Sequence, residues 1–379
     1  MANKLLAKMK KEKVFADVLR TSQRPDEWLS TNCISVNLLL SGKIKGGIKK
    51  GSISMICADS GWGKSMIGYA VLKSAQDSGM NCFIIDTENA TNYDVLRNLG
   101  VNMDEVGVFG PENRIPKLKQ ILARLSDACE NAEEARNTFV LFDSWGPIVE
   151  EQVLEKAAEG SSAVNMSAAK FKNELANVLL SCGFTTLVLN HVYASLQMYG
   201  DAFEIPGGKR IFFNSDAIML ASSAKKDKDK DNNILGKIIT ASVKKGRAAK
   251  EFVKTQYLIL HSGGISPYYG LLDEAIDSGV VFKPKPGAYC RIGIDAPIDE
   301  TTGEVGEPTR LWKETDLYCS EFWVPIYKNE TFRHYVESKF AFEEQELITA
   351  TQDVMKLMNG ELSTNSDTGI TPDVDDDEE

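Results

Sequence analysis

The chain has 379 residues, which at about 150 residues per domain predicts two or three domains. Hydrophobic residues make up 43% and charged residues 26%, and this composition excludes a largely disordered protein. The net charge of −11 does not exclude a nucleic acid ligand, because residues 361–379 hold eight acidic residues and no basic one, whereas residues 1–24 hold seven Lys or Arg against two acidic residues.

The amino-terminal segment has the pattern of a helix. Residues 1–20 lack Gly and Pro, and their apolar side chains recur at helical spacing among many Lys. Such a segment is either a solvated helix or a helix that docks on a neighbouring subunit. Pro25 and its polar neighbours are typical of a linker. We therefore assign residues 1–30 to an N-terminal oligomerisation helix and linker.

Between residues 31 and 270, short apolar segments alternate with longer helical ones. Strands that are apolar throughout and separated by helices predict a mainly parallel sheet flanked by helices, so the expected fold class is α/β. The predicted strands are residues 52–57, 82–86, 138–143 and 185–190, and the predicted helices are residues 66–78, 93–99, 116–129 and 168–180.

The rest of the chain is less regular. Residues 217–221 and 235–243 are predicted strands that flank an exposed, charged hairpin loop at 225–233. Residues 271–360, with helical stretches at 271–278 and 330–358, are expected to form a small C-terminal domain. The acidic tail at 361–379 is expected to be disordered, because like charges repel one another.

Three features predict the compartment. The longest uncharged run, residues 175–200, includes Asn, Thr, His and Gln side chains that are too costly to bury in a bilayer. No signal-peptide pattern opens the chain. The seven cysteines are scattered without a C-x-x-C pair, which favours reduced thiols over disulfides or zinc. We therefore expect a cytoplasmic protein with no membrane partner.

The strongest motif lies between the first predicted strand of the alternation and its helix. Residues 58–65, Ala-Asp-Ser-Gly-Trp-Gly-Lys-Ser, have the form of a phosphate-binding P-loop with Ala58 in place of the first Gly. The amides of such a loop wrap phosphate oxygens. Lys64 would reach the β- and γ-phosphates, and Ser65 would ligate Mg²⁺. The predicted nucleotide-binding residues of the loop are Ser60, Gly61, Trp62, Gly63, Lys64 and Ser65.

Further polar side chains close the later strands of the same predicted sheet. Asp143 is expected to hold Mg²⁺, as strand-end aspartates do in P-loop NTPases. Glu88 follows the second strand and is a candidate general base, since ligands of open α/β sheets gather at the carboxyl ends of strands. His191 follows the strand at 185–190, where it would register the presence of a γ-phosphate.

Two long loops have the composition of a DNA-binding surface. The first, residues 146–167, ends near two Lys, and the second, which follows His191, combines aromatic side chains with a basic exit. Aromatic side chains stack on bases and basic ones hold phosphates, although simple connecting loops are the alternative. The predicted DNA-binding residues are Lys170, Lys172, Tyr193, Tyr199, Phe203, Gly207, Gly208, Lys209 and Arg210.

The order of these motifs resembles that of the RecA family of homologous recombinases, and it is most similar to the UvsX recombinases of T4-type bacteriophages. The resemblance covers residues 30–290 and includes the segments at 34–42 and 263–273. It implies a RecA-like P-loop ATPase core at 31–270, with ATP and Mg²⁺ as cofactors. It also implies a DNA-dependent ATPase that forms helical filaments on single-stranded DNA and catalyses strand exchange with homologous double-stranded DNA.

The same resemblance implies roles for individual residues. Lys245 and Arg247 match a basic pair that reaches the ATP of a neighbouring subunit. The aromatic residue that stacks on adenine in the family corresponds to Val95 here, so either Tyr93 takes over the stacking or the base is held in another way. Lys64 and Ser65 match the lysine and the hydroxyl of the family's P-loop, and Glu88 matches its catalytic glutamate. Asp143 matches the aspartate that holds Mg²⁺, and His191 matches the sensor of the γ-phosphate.

The resemblance also implies partners. The loops at 147–166 and 192–214 match the two single-strand-binding loops of the family. We expect the chain to bind DNA and further copies of itself, together with a single-strand binding protein and a recombination mediator, in the cytoplasm of an infected bacterium. Two alternatives stay open at this point. They are a hexameric DNA helicase with the same ATPase core and a nucleotide-gated recombination mediator.

Overall fold

The computed structural model describes residues 26–110, 117–148, 164–194, 203–228, 232, 234–261, 263–299, 301–342 and 355. The predicted N-terminal helix, most of the loop at 147–166, Tyr199 and the acidic tail lie outside the described residues. The boundaries that the sequence suggests at residues 30, 270 and 360 stay predictions.

The strands of the alternating region form where the apolar segments predict them, to within one residue. The hairpin prediction is wrong at its first end, because residues 225–228 continue a strand, with Lys225 paired to Ile238 and Asp227 to Gly236. The strands are β1 (Trp28–Leu29), β2 (Ile48–Lys49), β3 (Ile53–Cys57), β4 (Asn81–Asp86), β5 (Val106–Phe109), β6 (Thr138–Asp143), β7 (Thr185–Asn190), β8 (Tyr193–Ala194), β9 (Phe203–Glu204), β10 (Ala217–Lys228), β11 (Ile234–Gly246), β12 (Lys254–Leu260), β13 (Val281–Lys285), β14 (Ala288–Arg291) and β15 (Trp312–Lys313).

The four predicted helices of the alternating region are also present. The helix predicted over 330–358 is interrupted, because one helix ends at Phe340 and Ala341 is extended (φ −92°, ψ 158°). Residues 343–354 and 356–358 lie outside the described residues. Among the described residues, no helix is long and apolar enough to cross a membrane. The helices are α1 (Ile34–Ser41), α2 (Lys64–Asp77), α3 (Tyr93–Asn98), α4 (Leu118–Ala128), α5 (Ala132–Arg136), α6 (Val164–Cys182), α7 (Lys209–Asn214), α8 (Leu272–Asp277), α9 (Ser320–Lys328) and α10 (Glu330–Phe340).

The central sheet has eight strands in the order β12-β11-β10-β3-β7-β6-β4-β5. The strands from β10 to β5 are parallel, and β11 and β12 extend the sheet as antiparallel strands at one edge. Every residue of β3, β6 and β7 is buried, because helices cover both faces. Leu72 of α2 belongs to one core cluster and Leu175 of α6 to the other. The predicted α/β class with a mainly parallel sheet is confirmed.

Residues beyond the sheet pack into the same core. The strands β13, β14 and β15 form a separate three-stranded antiparallel sheet. Trp323 of α9 and Phe340 of α10 are buried in the core cluster that contains Leu39 of α1. A buried ion pair joins Arg291 and Asp295, whose side chains are 5% and 4% exposed.

The register of the parallel strands brings their carboxyl ends to one edge. Cys57 at the end of β3 lies beside Asn190 at the end of β7, and Asp86 at the end of β4 lies beside Asp143 at the end of β6. The polar residues that follow these strands therefore meet above one edge of the sheet, which is where open α/β sheets bind their ligands.

Candidate functional site

The P-loop connects β3 to α2 and encloses its own lysine. Gly61 and Gly63 adopt left-handed backbone angles (φ +70° and +81°), which allow the chain to turn tightly before the helix. The Lys64 side chain is buried, and its ammonium donates hydrogen bonds of 2.9 Å to the carbonyl oxygens of Ala58 and Asp59. Burial lowers the pKa of Lys64, although nearby carboxylates oppose this shift. The loop thus holds a cation where phosphate oxygens would bind.

Ser65 and Asp143 form a pair of oxygen ligands beside this ammonium. The Ser65 hydroxyl donates a hydrogen bond of 2.7 Å to Oδ2 of Asp143. Burial raises the pKa of Asp143, and the hydrogen bond from Ser65 opposes the shift. A hydroxyl and a carboxylate are ligands that Mg²⁺ favours. These two residues are therefore suited to hold a small divalent cation, and their assignment to Mg²⁺ stays a prediction.

A hydrogen-bonded network joins Glu88 to the lysine of the P-loop. Nε2 of His191 lies 3.0 Å from Oε1 of Glu88, and the Ser144 hydroxyl donates to the same oxygen at 2.5 Å. Nδ1 of His191 lies 3.4 Å from Nζ of Lys64. Because an ammonium can only donate, Nδ1 is assigned as the acceptor and Nε2 as the nitrogen that carries a proton. His191 thus connects the P-loop cation to the carboxylate.

These groups open into one cleft of about 310 Å³. It combines the glycine-containing backbone of the P-loop, an ammonium, two carboxylates and an imidazole, so it can bind phosphate and activate a water molecule. The side chain of Trp62 packs against the core instead, so only its backbone contributes to the loop. The cleft is lined by Ser60, Gly61, Gly63, Lys64, Ser65, Met66, Glu88, Ala90, Asp143, His191 and Ile259.

Tyr93 and Val95, in the first turn of α3, face in different directions, and Tyr93 lines a depression next to the cleft. Asn92 caps this helix by accepting a hydrogen bond from the amide of Val95. Val95 packs against the core, whereas Tyr93 is 46% exposed and lines a depression of about 540 Å³. Ala90 borders both this depression and the cleft. Tyr93 therefore presents an aromatic ring to a depression that adjoins the cleft at Ala90, and its role in stacking on adenine stays a prediction.

Lys245 and Arg247 do not line the cleft of their own chain. The Lys245 ammonium donates to the carbonyl oxygens of Phe212 and Phe213 at 3.0 and 2.8 Å. Arg247, whose side chain is 63% exposed, pairs with Asp216 at 2.9 Å. The residue of β11 that contacts the P-loop is Lys237, eight residues before Lys245. In an extended strand, eight residues separate Lys237 from Lys245 by about 27 Å. Both cations are thus displayed away from the local cleft.

Three of the predicted DNA-binding residues lie together. Lys170 on α6 and Lys209 and Arg210 on α7 line one groove of about 610 Å³, together with the exposed ring of Phe213. Tyr193 on β8 is 62% exposed. The groove thus has three cations beside an exposed aromatic ring, which suits a nucleic acid backbone.

Apart from Tyr199, which lies outside the described residues, the remaining predicted DNA-binding residues lie near the stems of the two loops. The Lys172 ammonium donates a hydrogen bond of 2.5 Å to the Gly146 carbonyl, and Phe203 packs against the core. Gly207 and Gly208 have φ of +112° and +91°. The Gly207 carbonyl accepts a hydrogen bond of 2.8 Å from Nε1 of Trp145. These residues are thus tied to the stems of the two predicted loops.

Several residues that shape the cleft were missed in the sequence. The Ser144 hydroxyl donates a hydrogen bond to Glu88, and the Asp86 carboxylate accepts one from the Glu88 amide. Asp86 ends β4 and Ser144 follows β6, and these positions at strand ends could have revealed both residues. Lys237 and Tyr257 contact the P-loop from β11 and β12. No sequence pattern places these two distant residues there.

Two family models together match most of the chain. The model of the RecA N-terminal domain matches residues 6–266, and that of the C-terminal domain of the bacteriophage T4 recombination and repair protein matches residues 268–336. The recombination and repair protein of Enterobacteria phage T4 is 27% identical over 371 residues, which are 95% of this chain and 89% of that protein. The RecA protein of Deinococcus radiodurans is 25% identical over 288 residues, 74% of each chain.

Proposed function

This chain belongs to the RecA family of recombinases, and from that membership we propose that it is an ATP-dependent homologous DNA recombinase. It assembles on single-stranded DNA as a helical filament and exchanges strands with a homologous duplex. The observation that most supports this proposal is the network joining Lys64, His191 and Glu88. His191 lies two residues before β8 and directly before the second predicted DNA loop, so a residue whose side chain contacts the nucleotide cleft also begins the segment expected to bind DNA.

The nucleotide is bound mainly through its phosphates. The amides of residues 60–65 and the ammonium of Lys64 surround the β- and γ-phosphates. Ser65 and Asp143 hold Mg²⁺, which neutralises phosphate charge when it is bound. The ring of Tyr93, exposed beside the cleft, stacks on the adenine.

Glu88 acts as the general base for hydrolysis. Its Oε1 already accepts hydrogen bonds from Ser144 and His191, so Oε2 takes the proton from the attacking water. The two donors fix the orientation of the carboxylate. Lys64 stabilises the charge that develops on the transferred phosphoryl group.

The filament supplies the remaining charge. Lys245 and Arg247 stand away from their own cleft, so a neighbouring copy receives them once they exchange their contacts with Phe212, Phe213 and Asp216 for phosphate. A contact in which one copy presents these cations to the cleft of the next is head-to-tail, and repetition of such a contact generates an open helix. Nucleotide at each interface then stabilises the filament, and its hydrolysis weakens the filament.

A joint-molecule assay tests the proposal. The full chain, incubated with ATP, Mg²⁺, single-stranded DNA and a homologous duplex, should form joint molecules, and a heterologous duplex should give none. Closed rings in electron micrographs of the ATP-bound form would support a helicase instead. Nucleotide binding without DNA-stimulated turnover would support a mediator.

We also propose that this recombinase works in the cytoplasm of an infected bacterium, with a single-strand binding protein and a mediator as partners.

A further inference from the structure

One face of the edge pair β11–β12 lies against the P-loop. In the antiparallel register, Lys237 pairs with Ile259 and Ile239 pairs with Tyr257. Because side chains alternate along a strand, these four residues share one face of the sheet. Three of them contact the loop through different groups: an ammonium, a hydroxyl and an aliphatic side chain.

The contacts fall on consecutive residues of the loop. Nζ of Lys237 donates a hydrogen bond of 3.1 Å to the Gly61 carbonyl. The Tyr257 hydroxyl donates a hydrogen bond of 3.0 Å to the Trp62 carbonyl. A Cβ atom on Gly63 would lie 2.3 Å from Cδ1 of Ile259, so this side chain closes the space beside the third residue. The outer side of the P-loop is thus held by the edge strands.

The peptide geometry gives these contacts a consequence for phosphate binding. The Gly61 carbonyl and the Trp62 amide belong to one planar peptide unit. A cation that donates to the carbonyl oxygen draws electron density toward that oxygen and makes the amide a stronger donor, since hydrogen bonds in a chain polarise one another. In a P-loop the amides face the phosphates. Lys237 therefore acts on the phosphate through the peptide bond.

We propose that Lys237 is a positioning residue of the nucleotide site, which fixes the Gly61–Trp62 peptide and strengthens its amide toward phosphate. The inference rests on the proposed function and adds a cation outside the P-loop motif. Tyr257 likewise donates a hydrogen bond to the carbonyl of the Trp62–Gly63 peptide, but its hydroxyl is a neutral donor. ADP keeps the β-phosphate that the loop surrounds and lacks only the γ-phosphate, so Lys237 contributes to the binding of ATP and of ADP.

Three variants of the full chain test this role. Lys237→Met removes the charge and keeps the length of the side chain, whereas Lys237→Arg keeps the charge. Lys225→Met removes a charge from the same hairpin but from the other face, because Lys225 pairs with Ile238 rather than with Lys237. Dissociation constants are measured with a fluorescent ATP analogue and by competition with ATP and ADP, and kcat and KM for ATP are measured with saturating single-stranded DNA.

Lys237→Met should raise the dissociation constants of ATP and ADP about fivefold, which is the scale of one partly exposed charge-assisted hydrogen bond. KM should rise in parallel while kcat stays within about twofold, because the contact is present before and during the reaction. Lys237→Arg should restore affinity, and Lys225→Met should match the wild type. An unchanged affinity in Lys237→Met, or an equal loss in Lys225→Met, overturns the inference. Failure of the wild type to bind nucleotide would instead refute the proposed function itself.

Discussion

Replacement of Gly63 by Ala measures how firmly the edge strands define the P-loop. Gly63 has a φ of +81°, and a left-handed backbone costs a residue with a Cβ about 1–2 kcal/mol. The new Cβ would lie 2.3 Å from Cδ1 and 2.9 Å from Cγ1 of Ile259, and such overpacking costs about 1–3 kcal/mol. The two contributions predict a total destabilisation of about 2–5 kcal/mol.

The control is Gly79→Ala, which carries the backbone cost alone. Gly79 has a φ of +70°, and nothing lies within 4 Å of the position that a Cβ atom would take there. Urea unfolding of the wild type and both variants gives the free energies of unfolding. Gly63→Ala should be less stable than Gly79→Ala by about 1–3 kcal/mol, and its affinity for ATP should fall as the loop is displaced.

A double-mutant cycle identifies the clashing atom. Ile259→Val removes Cδ1, which is the atom nearest to the added Cβ. By itself this change should cost about 0.5–1.5 kcal/mol. In the Gly63→Ala background it should recover stability, with a coupling energy of about 1 kcal/mol or more. Equal stability of Gly63→Ala and Gly79→Ala, or strict additivity in the cycle, would refute the packing argument.

Three other predictions address coupling, assembly and stability. His191→Ala removes the contacts to Lys64 and Glu88. DNA affinity with ATP should exceed that with ADP by about 5–150-fold in the wild type, as for coupled sites, and this ratio should fall toward one in the variant. Fluorescence anisotropy measures both affinities, and an unchanged ratio contradicts the coupling role of His191. Lys64→Ala chains lack a working cleft and Lys245→Ala/Arg247→Ala chains lack the displayed cations, so mixing the two should restore DNA-dependent ATPase activity with a maximum at an intermediate ratio. If both cations only bind DNA, mixing adds nothing at saturating single-stranded DNA. Burial favours a raised pKa for Asp295, but the hydrogen bonds and charge of Arg291 outweigh burial and hold this pKa below its usual 3.8. The Arg291–Asp295 pair therefore stabilises the fold above pH 3.8, and this stabilisation is lost as the pH falls through the lowered pKa of Asp295. Asp295→Asn should cost about 3 kcal/mol at neutral pH, and urea unfolding should show this deficit shrinking below pH 3.8; a deficit independent of pH would contradict the assignment.

Local patterns predicted the elements that depend on local chemistry. The strands β3, β4, β6 and β7 consist of apolar runs, and such runs bounded by helices have few other stable arrangements than a covered parallel sheet. The helix over 330–358 was predicted as continuous because its helical composition continues past Phe340, whereas the extended backbone at Ala341 interrupts it. The charged hairpin was predicted too long because its Lys-rich end is still paired with β11. Pairing across strands is not visible in either strand alone.

By itself, the sequence determined the P-loop and the meeting of Glu88, Asp143 and His191, because parallel strands place their carboxyl ends at one edge of a sheet. Only the tertiary structure decided which side chains complete that cleft. The cap at Asn92 turns Tyr93 outward and Val95 inward, and the register between β11 and β12 brings Lys237 and Ile259 against the loop. These outcomes depend on contacts between residues far apart in the chain, where spacing along the sequence carries no information about distance in space.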